Sequence, residues 1–526
     1  MRSLHALPAL LLAAAPAIAQ FGNGCNGDLE TTVLVAGSNL TVTVKGGANQ
    51  AYGLFLSDSP GPVVIPGFGT ISLDVFSPAF FPLASGALNG SGVATFTAPI
   101  PNDAVWQSIV FYGQAVVADP ACPTGWAITR GIRFDFEPPD TFVALPTMST
   151  ARALATGSLL QDGRVFVAGG GGGSLTAPSG TGTSELYSPF SRTWAPGPNL
   201  GLARAFHEAV TLSDGRVLLI GGADATGGVT ASCEIFDPAL GVMTPASSMN
   251  APRAGCTATL LNNGKVLVTG GTNTFQIPAG TTSLAPILNA AQNDGEVYDP
   301  AIDVWTYVPG AMASKRMMHA AALLQNGKVL VVSGVNGATN LLGTDVPAFT
   351  QTCNLYNPAT NAWEAAAQLP AGIFGVGGIP GRGGHRVTTM NNGEVFMAGG
   401  LASVLGIPGA TATTGRYTPA TNSWASAGTM PQAVGMHGQV LLKNGKAHVS
   451  GGASVSLSGS TIAFSAVADC ATRVQATSSF TTTTAMPQAT GGHLAVRLHD
   501  GSVLMVGGGD ASGAATAAAY HYTPAP

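Results

Sequence analysis

The stretch AFHEAVTLSDGRVLLIGG, residues 205–222, decides the fold. It sets an Asp-Gly pair between two apolar segments and closes on Gly221-Gly222, with His207 fourteen residues before the first of these glycines. Asp-Gly or Asn-Gly between apolar runs is the strongest short hairpin signal, because both central residues of a type I′ turn need positive φ. The same formula recurs as DGRVFVAGG (162–170), NGKVLVTGG (263–271), NGKVLVVSG (326–334), NGEVFMAGG (392–400), NGKAHVSGG (444–452) and DGSVLMVGG (500–508), so there are seven copies. Each predicts a β-hairpin. Its second strand is apolar throughout rather than alternating, as expected where both faces are covered.

Working outward, a third strand ends in an aromatic-x-Pro signal: LYSP (186–189), IFDP (235–238), VYDP (297–300), LYNP (355–358), RYTP (416–419) and HYTP (521–524). A fourth follows with a bulky residue and then Met or Leu, as in DVWTYVPGAM. Four strands in a unit of 49 to 66 residues describe a propeller blade, its length varying in the loop after the glycine pair. The sixth unit lacks the aromatic signal, which leaves its third strand unplaced. The last unit stops after its third strand, while DTFVALPTM (140–148) is a fourth-strand pattern standing alone ahead of the first unit. That strand is expected to complete the last blade and close the ring, removing its exposed edges.

These repeats resemble the kelch family, whose blades carry a hairpin, a double glycine, a spaced Tyr and a Trp. The resemblance spans about 140 to 526 and implies an all-β, seven-bladed kelch-like propeller over 138–526. It implies little about activity, because propellers host unrelated functions. Residues 20–137 have no repeat but show strand-like runs, among them LTVTVKG (40–46), AYGLFLS (51–57), VATFTAP (93–99), SIVFYGQAVV (108–117) and RGIRFDF (130–136), and are expected to form a β-sandwich. Glu137-Pro138-Pro139 then reads as a stiff linker. Residues 1–19 read as a secretory signal peptide, with Arg2, a short apolar run and Ala17-Ile18-Ala19. The expected destination is extracellular or periplasmic, with no membrane span. Cys25 and Cys122 bracket the N-terminal region as a candidate disulfide; Cys233, Cys353 and Cys470 take a slot that other units fill with Ser184, Gly295 or Ala519, which suggests packing.

The net charge is -5, from 21 Lys+Arg against 26 Asp+Glu with no basic cluster, which argues against a nucleic-acid partner. Fourteen residues before the glycine pairs stand Ala155, His207, Cys256, His319, His385, His437 and His493, and three residues earlier Arg152, Arg204, Arg253, Arg316, Arg382, Val434 and Thr490. Arg204, His207, Arg316, His319, Arg382, His385, His437 and His493 are thus candidates for a ring at the channel mouth. Imidazole and guanidinium suit a metal or an anion. A residue repeated in most blades more readily serves a need common to all blades, and scaffold is the reading taken. Glu185, Glu234 and Glu296 recur before the third-strand aromatic and read as solvated or blade-linking.

Galactose oxidase and similar copper radical oxidases also place a sandwich before a kelch-type ring. That resemblance implies a copper site built from a Tyr-His pair, a Tyr linked to Cys, and a His from a further C-terminal domain. The single Tyr-His dipeptide, Tyr520-His521, falls in an outer strand, and no further domain is expected after Pro526. No cofactor is expected, and GGGGGS (169–174) reads as a repeat loop rather than a phosphate cradle. The loops 275–294, 338–349, 401–413 and 454–467 are long and apolar, and are expected to present Leu, Ile, Val and Phe on one face. The chain is therefore read as a secreted, monomeric, non-enzymatic binding protein that recognises a protein or glycan through this face. The alternative is an extracellular carbohydrate-active or copper-oxidase-like enzyme.

Overall fold

The computed structural model describes residues 27–31, 39–65, 69–75, 77, 79–99, 109–123, 125–174, 177–224, 226–276, 283–341, 343–371, 378–404, 407–458, 461–475 and 477–525. Residues 1–19 and Cys25 lie outside them. Each Asp/Asn-Gly stretch forms a hairpin, but the turn differs from the type I′ expectation. Leu160 N–H donates to the Arg164 carbonyl and Gly163 N–H to the Leu160 carbonyl, so the loop holds three residues. Only the glycine takes positive φ, 89° at Gly163 and 88° at Gly215. The residue before it acts through its side chain: Asp162 Oδ1 accepts from Arg164 N–H, as do Asp214 from Arg216 and Asn263 from Lys265. This is a type I turn closed by a left-handed glycine.

The hairpins grow into seven four-stranded antiparallel sheets among the described residues. In the second, Glu208–Thr211, Val217–Ile220, Cys233–Asp237 and Val242–Ala246 pair in that order. The all-apolar second strands are buried along their whole length, for example Val165–Ala168 and Val503–Val506. First strands pack in a cycle, Thr156–Leu159 on Glu208–Thr211 and so on to Leu494–Arg497, which returns to Thr156–Leu159. Every joint between neighbouring sheets has its own apolar cluster. Phe166 stacks on Phe236 at 4.1 Å between the first two, and Val165 and Val167 meet Leu504 and Val506 where last joins first. The architecture is a β-propeller.

Thr141–Ala144 pairs with Ala519–Thr523, so the last sheet takes its outer strand from the N-terminal side of the repeats. Asp140 fastens this join, accepting from Tyr522 Oη at 2.9 Å and from Thr484 N–H. The third strand missing from the sixth unit is Thr461–Val474. Arg473 occupies the slot that Tyr fills elsewhere, since it pairs with Ala447 as Tyr187 pairs with Val165. It is buried with its guanidinium 4.7 Å from the Phe396 ring, a cation–π contact in place of the aromatic pair.

N-terminal to the propeller, a three-stranded sheet (Asp28–Thr31, Asn39–Lys45, Val93–Pro99) and a five-stranded sheet containing Ala51–Ser57, Val110–Ala118 and Ile132–Asp135 share one core of Leu29, Val42, Val44, Leu54, Val117 and Phe134. Cys122 is disulfide-bonded. Arg192, at the left-handed position where four other sheets carry Asn or Asp, reaches back to Asp135 at 2.9 Å and to Glu137 at 2.5 Å. Glu137 also meets His521 Nδ1 at 2.8 Å and accepts from Thr523. The Glu-Pro-Pro segment is therefore clamped between the first and last sheets. No described helix is long and apolar enough to cross a membrane.

Candidate functional site at the channel mouth

Each ring arginine turns away from the channel into its own sheet. Arg204 is buried, and its Nη1 donates to the carbonyls of Gly221 at 2.8 Å and Ser232 at 3.0 Å, while Nη2 reaches Ser232 Oγ and Glu234 at 2.5 Å. Arg152 makes the same set with Gly169, Thr183 and Glu185, and Arg316 with Ser333, Thr352 and Asn354. Arg382 donates to Gly399 and Thr413. Glu185, Glu234 and Glu296 are buried rather than solvated, because each carboxylate faces one of these arginines and accepts N–H groups from the preceding connection, as Glu296 does from Asn250 and Ala251. Opposite charges paired and hydrogen-bonded in this way meet the condition under which burial is tolerated.

The same residues carry the joints. The second glycine of each pair donates its N–H to the carbonyl at the arginine position of the next sheet: Gly170 to Arg204, Gly222 to Arg253, Gly271 to Arg316, Gly334 to Arg382, Gly400 to Val434, Gly452 to Thr490 and Gly508 to Arg152. This closes a ring of seven bonds. Val434 and Thr490 serve as well as arginine because the bond is to backbone. A Cβ on the first glycine would sit 2.7 Å from His207 Cε1 at Gly169 and 2.8 Å from His437 Cε1 at Gly399, so the glycine makes room for the next sheet's imidazole. That imidazole then bonds backward, His207 Nε2 to Thr156 Oγ1 at 2.8 Å, His319 Nε2 to Thr257 and Thr269, and His493 Nε2 to Ser450. Burial, reinforced by the neighbouring arginines, pushes His207 down to about 3; burial likewise holds His437 near 3 and His493 near 4. All three are neutral at ordinary pH. His385 is the exception in bonding, since neither ring nitrogen has a partner.

Two residues that the sequence reading passed over stand one position further on. There the sheets carry Thr156, Glu208, Thr257, Ala320, Arg386, Gly438 and Leu494. Glu208 belongs to the second sheet and Arg386 to the fifth, which are not neighbours, so the field of Arg386 on Glu208 crosses the channel. Glu208 is half-exposed in area yet surrounded by protein, as a side chain in a narrow lumen must be. That burial pushes its carboxyl up to about 7, against the pull of Arg386. Above it lies a collar of residues at positive φ: Leu154, Phe206, Met318 and Met436 alternate around the mouth with Gly255, Gly384 and Gly492. Backbone bonds run between successive members, from Leu154 N–H to the Gly492 carbonyl through to Gly255 N–H to the Phe206 carbonyl. The signal was available: after the ring histidine, one acid and one base interrupt a series of neutral residues.

Three of the four long loops are hairpins, and 275–294 carries the short helix Ala285–Asn289 instead. Val335–Leu341 pairs with Thr344–Phe349, Leu401–Val404 with Ile407–Ala410, and Ala447–Ser458 extends with Thr461–Val474 beyond the sheet. Their apolar residues are less exposed than expected, because they cover one another: Ile287, Leu288, Met317, Val335 and Phe349 form an accessory core. Among the described residues, Ile407 is the one exposed large apolar side chain in these loops; Leu240, Val242, Ile302, Val304 and Tyr307 lie on the outer strands and turns of the second and third sheets.

The chemistry of the donor set does not fit the copper site implied by the oxidase resemblance. His521 Nδ1 is taken by Glu137, and its strand lies away from the channel. Cys233, Cys256, Cys353 and Cys470 are buried free thiols raised by that burial. Among the described residues no three His, Cys, Asp or Glu side chains come together as a metal-binding group.

No family model matches the chain. A galactose oxidase of Gibberella zeae is 36% identical over 66 residues, which is 12% of this chain. The chain spans 8% of the length of that relative. Among solved structures, a fungal alcohol oxidase of the AA5 family in complex with copper superposes with a TM-score of 0.52 at 20% identity, covering 73% of this chain and 76% of the other. YjhT covers 71% of this chain and 95% of its own at 15% identity, with a TM-score of 0.42. The chain is thus similar in fold to the galactose-oxidase-like propellers.

Proposed function

We propose that the protein is an exported binding module, a β-sandwich (20–137) joined to a seven-bladed kelch-type propeller (138–526), in which the Arg/His ring is scaffold and the hairpin rim is the recognition surface. The observation that carries this reading is the side-by-side packing of the rim. The helix Ala285–Asn289 lies on Val335–Leu341, Thr344–Phe349 on Leu401–Val404 and Ile407–Ala410, and the last of these on Ala447–Ser458. Four consecutive sheets thereby build one raised wall on the side of the channel mouth, on a scaffold rigid enough to hold it. A glycan and protein array probed with the intact protein tests this. Binding is expected, and replacing residues 455–464 by Asn-Gly is expected to weaken it by about tenfold or more while the melting temperature moves by less than about 2 °C. One tightly held copper per chain with peroxide release from a primary alcohol would replace this reading with the oxidase one.

A further inference from the structure

We infer that the channel mouth is a binding site for a small zwitterion, its cationic group facing Glu208 and its anionic group facing Arg386. This does not depend on the rim as a recognition surface. Seven equivalent positions line the mouth, and only these two are charged, with opposite sign, on sheets that do not touch. A repeat has no structural need for one acid and one base at a position where Thr, Ala, Gly and Leu also serve.

Neither charge is spent on the protein. Among the described residues no hydrogen bond or ion pair is made by the Glu208 carboxylate. The Arg386 guanidinium makes one long contact, from Nε to the His437 carbonyl at 3.4 Å, and meets no carboxylate. Contrast the ring arginines four residues earlier, each with four or more acceptors. An acid and a base that feel one another across a lumen without meeting leave a gap complementary to a molecule carrying the opposite charges at its two ends.

Two further observations point to an occupant. His385, next to Arg386, is buried with both ring nitrogens unpartnered. Its equivalents His207 and His319 bond to Thr156 and Thr257; the matching residue for His385 is Ala320, which has no polar side chain. An orphaned imidazole is therefore left beside the cationic side of the gap, able to donate to a ligand carboxylate. The second is the collar. Leu154, Phe206, Met318 and Met436 hold φ of 55°, 53°, 51° and 50°, a conformation that disfavours side chains of this bulk. All seven sheets hold this position at positive φ, and four of them place a half-buried apolar side chain there at the entrance, matched to the methylene portion between two charged ends.

The test is calorimetric titration of the full chain, at a pH of about 8 where Glu208 is ionised, with glycine, β-alanine, 4-aminobutyrate and 6-aminohexanoate, and with acetate and methylammonium as single-charge controls. At least one zwitterion is expected to saturate with a Kd below about 1 mM, and both controls to bind at least about tenfold more weakly. Glu208→Gln and Arg386→Gln are each expected to weaken binding by about tenfold or more at unchanged melting temperature. The exchange Glu208→Arg with Arg386→Glu is expected to retain it, since the ligand can reverse. Acetate binding as well as the best zwitterion, indifference to Glu208→Gln, or no saturation by any of the four would each overturn the assignment. The 455–464 replacement that tests the rim leaves this binding unchanged, so the two readings fail separately.

Discussion

Replacing Arg204 by methionine isolates what the ring arginines do. Its side chain is fully buried and that of Glu234 is 9% exposed, with 2.5 Å between them, so the substitution leaves a carboxylate enclosed without its cation and the carbonyls of Gly221 and Ser232 without their donor. Removing one partner of a buried pair costs about 3–5 kcal/mol. A propeller of roughly 390 residues unfolds with an entropy near ~0.8 kcal/mol/K, at about 2.1 cal/mol/K per residue, so the melting temperature should fall by about 4–6 °C. Differential scanning calorimetry reads this directly. Arg204→Met with Glu234→Met leaves no enclosed charge and should recover about half the loss, so the double variant loses far less than the sum of its singles. Arg216→Met, which breaks the exposed pair with Asp214, should move the transition by less than about 1 °C. A drop at Arg204 as small as at Arg216, or a double variant that loses the sum of its singles, would refute the reasoning.

His207→Ala removes the bond to Thr156 and empties the space above Gly169; about 2–3 kcal/mol should be lost, read by urea unfolding, with zwitterion binding intact. Acid should destabilise the fold early. His207, His437 and His448 are pushed by burial to about 3, so they stay neutral when folded but take up protons below about 6.5 when unfolded. Each therefore removes about 1.4 kcal/mol per pH unit between those limits, and urea midpoints flat from pH 6 to 4.5 would contradict this. Glu137 adds to the loss at lower pH. Burial would raise its carboxyl, but the bond to and charge of His521, with Arg192, hold it down at about 2. Its stabilisation is present above about 4.5 and fades as pH falls toward 2, so the gap between wild type and Glu137→Gln should close over that window. Ala320→Thr should gain about 1 kcal/mol by giving His385 the hydroxyl its equivalents have, and no rise in melting temperature would mean that His385 points elsewhere.

Most of the propeller was legible because its signals are local and repeated. The Gly-Gly pair, the apolar second strand and the aromatic third strand each answer to one structural demand, and even the lone DTFVALPTM pattern paired with the last third strand. The turn type was misjudged because Asp and Asn satisfy two chemistries, left-handed φ and side-chain capping, and seven hairpins use the second. The third strand of the sixth sheet was illegible because Arg473 fills an aromatic slot by lying over Phe396, a contact that needs the neighbouring sheet. In the N-terminal region, strands such as Phe81–Ala87 escaped notice because an exposed run of Ser, Gly and Ala leaves no alternation to read. The apolar loops misled for a related reason: composition records that Ile287, Val335 and Phe349 are apolar, not that they bury one another.

The ring histidines and the channel charges show opposite uses of repetition. A side chain present in five of seven equivalent places answers a need that recurs, and here that need is visible: a bond backward across the joint, above a glycine that yields the room. Such a residue is a poor carrier of specific recognition, because rotation about the axis presents the same group everywhere while a small ligand has distinct ends. Recognition in a ring must come from positions where the repeat is broken. Arg192 breaks it at the junction and is used up by Asp135 and Glu137; Arg473 breaks it in the sixth sheet and is used up by Phe396. Glu208 and Arg386 break it at the mouth and, among the described residues, are met only by one long contact from Arg386 to the His437 carbonyl, which is why a ligand is sought there and not at the hydrogen-bonded ring histidines.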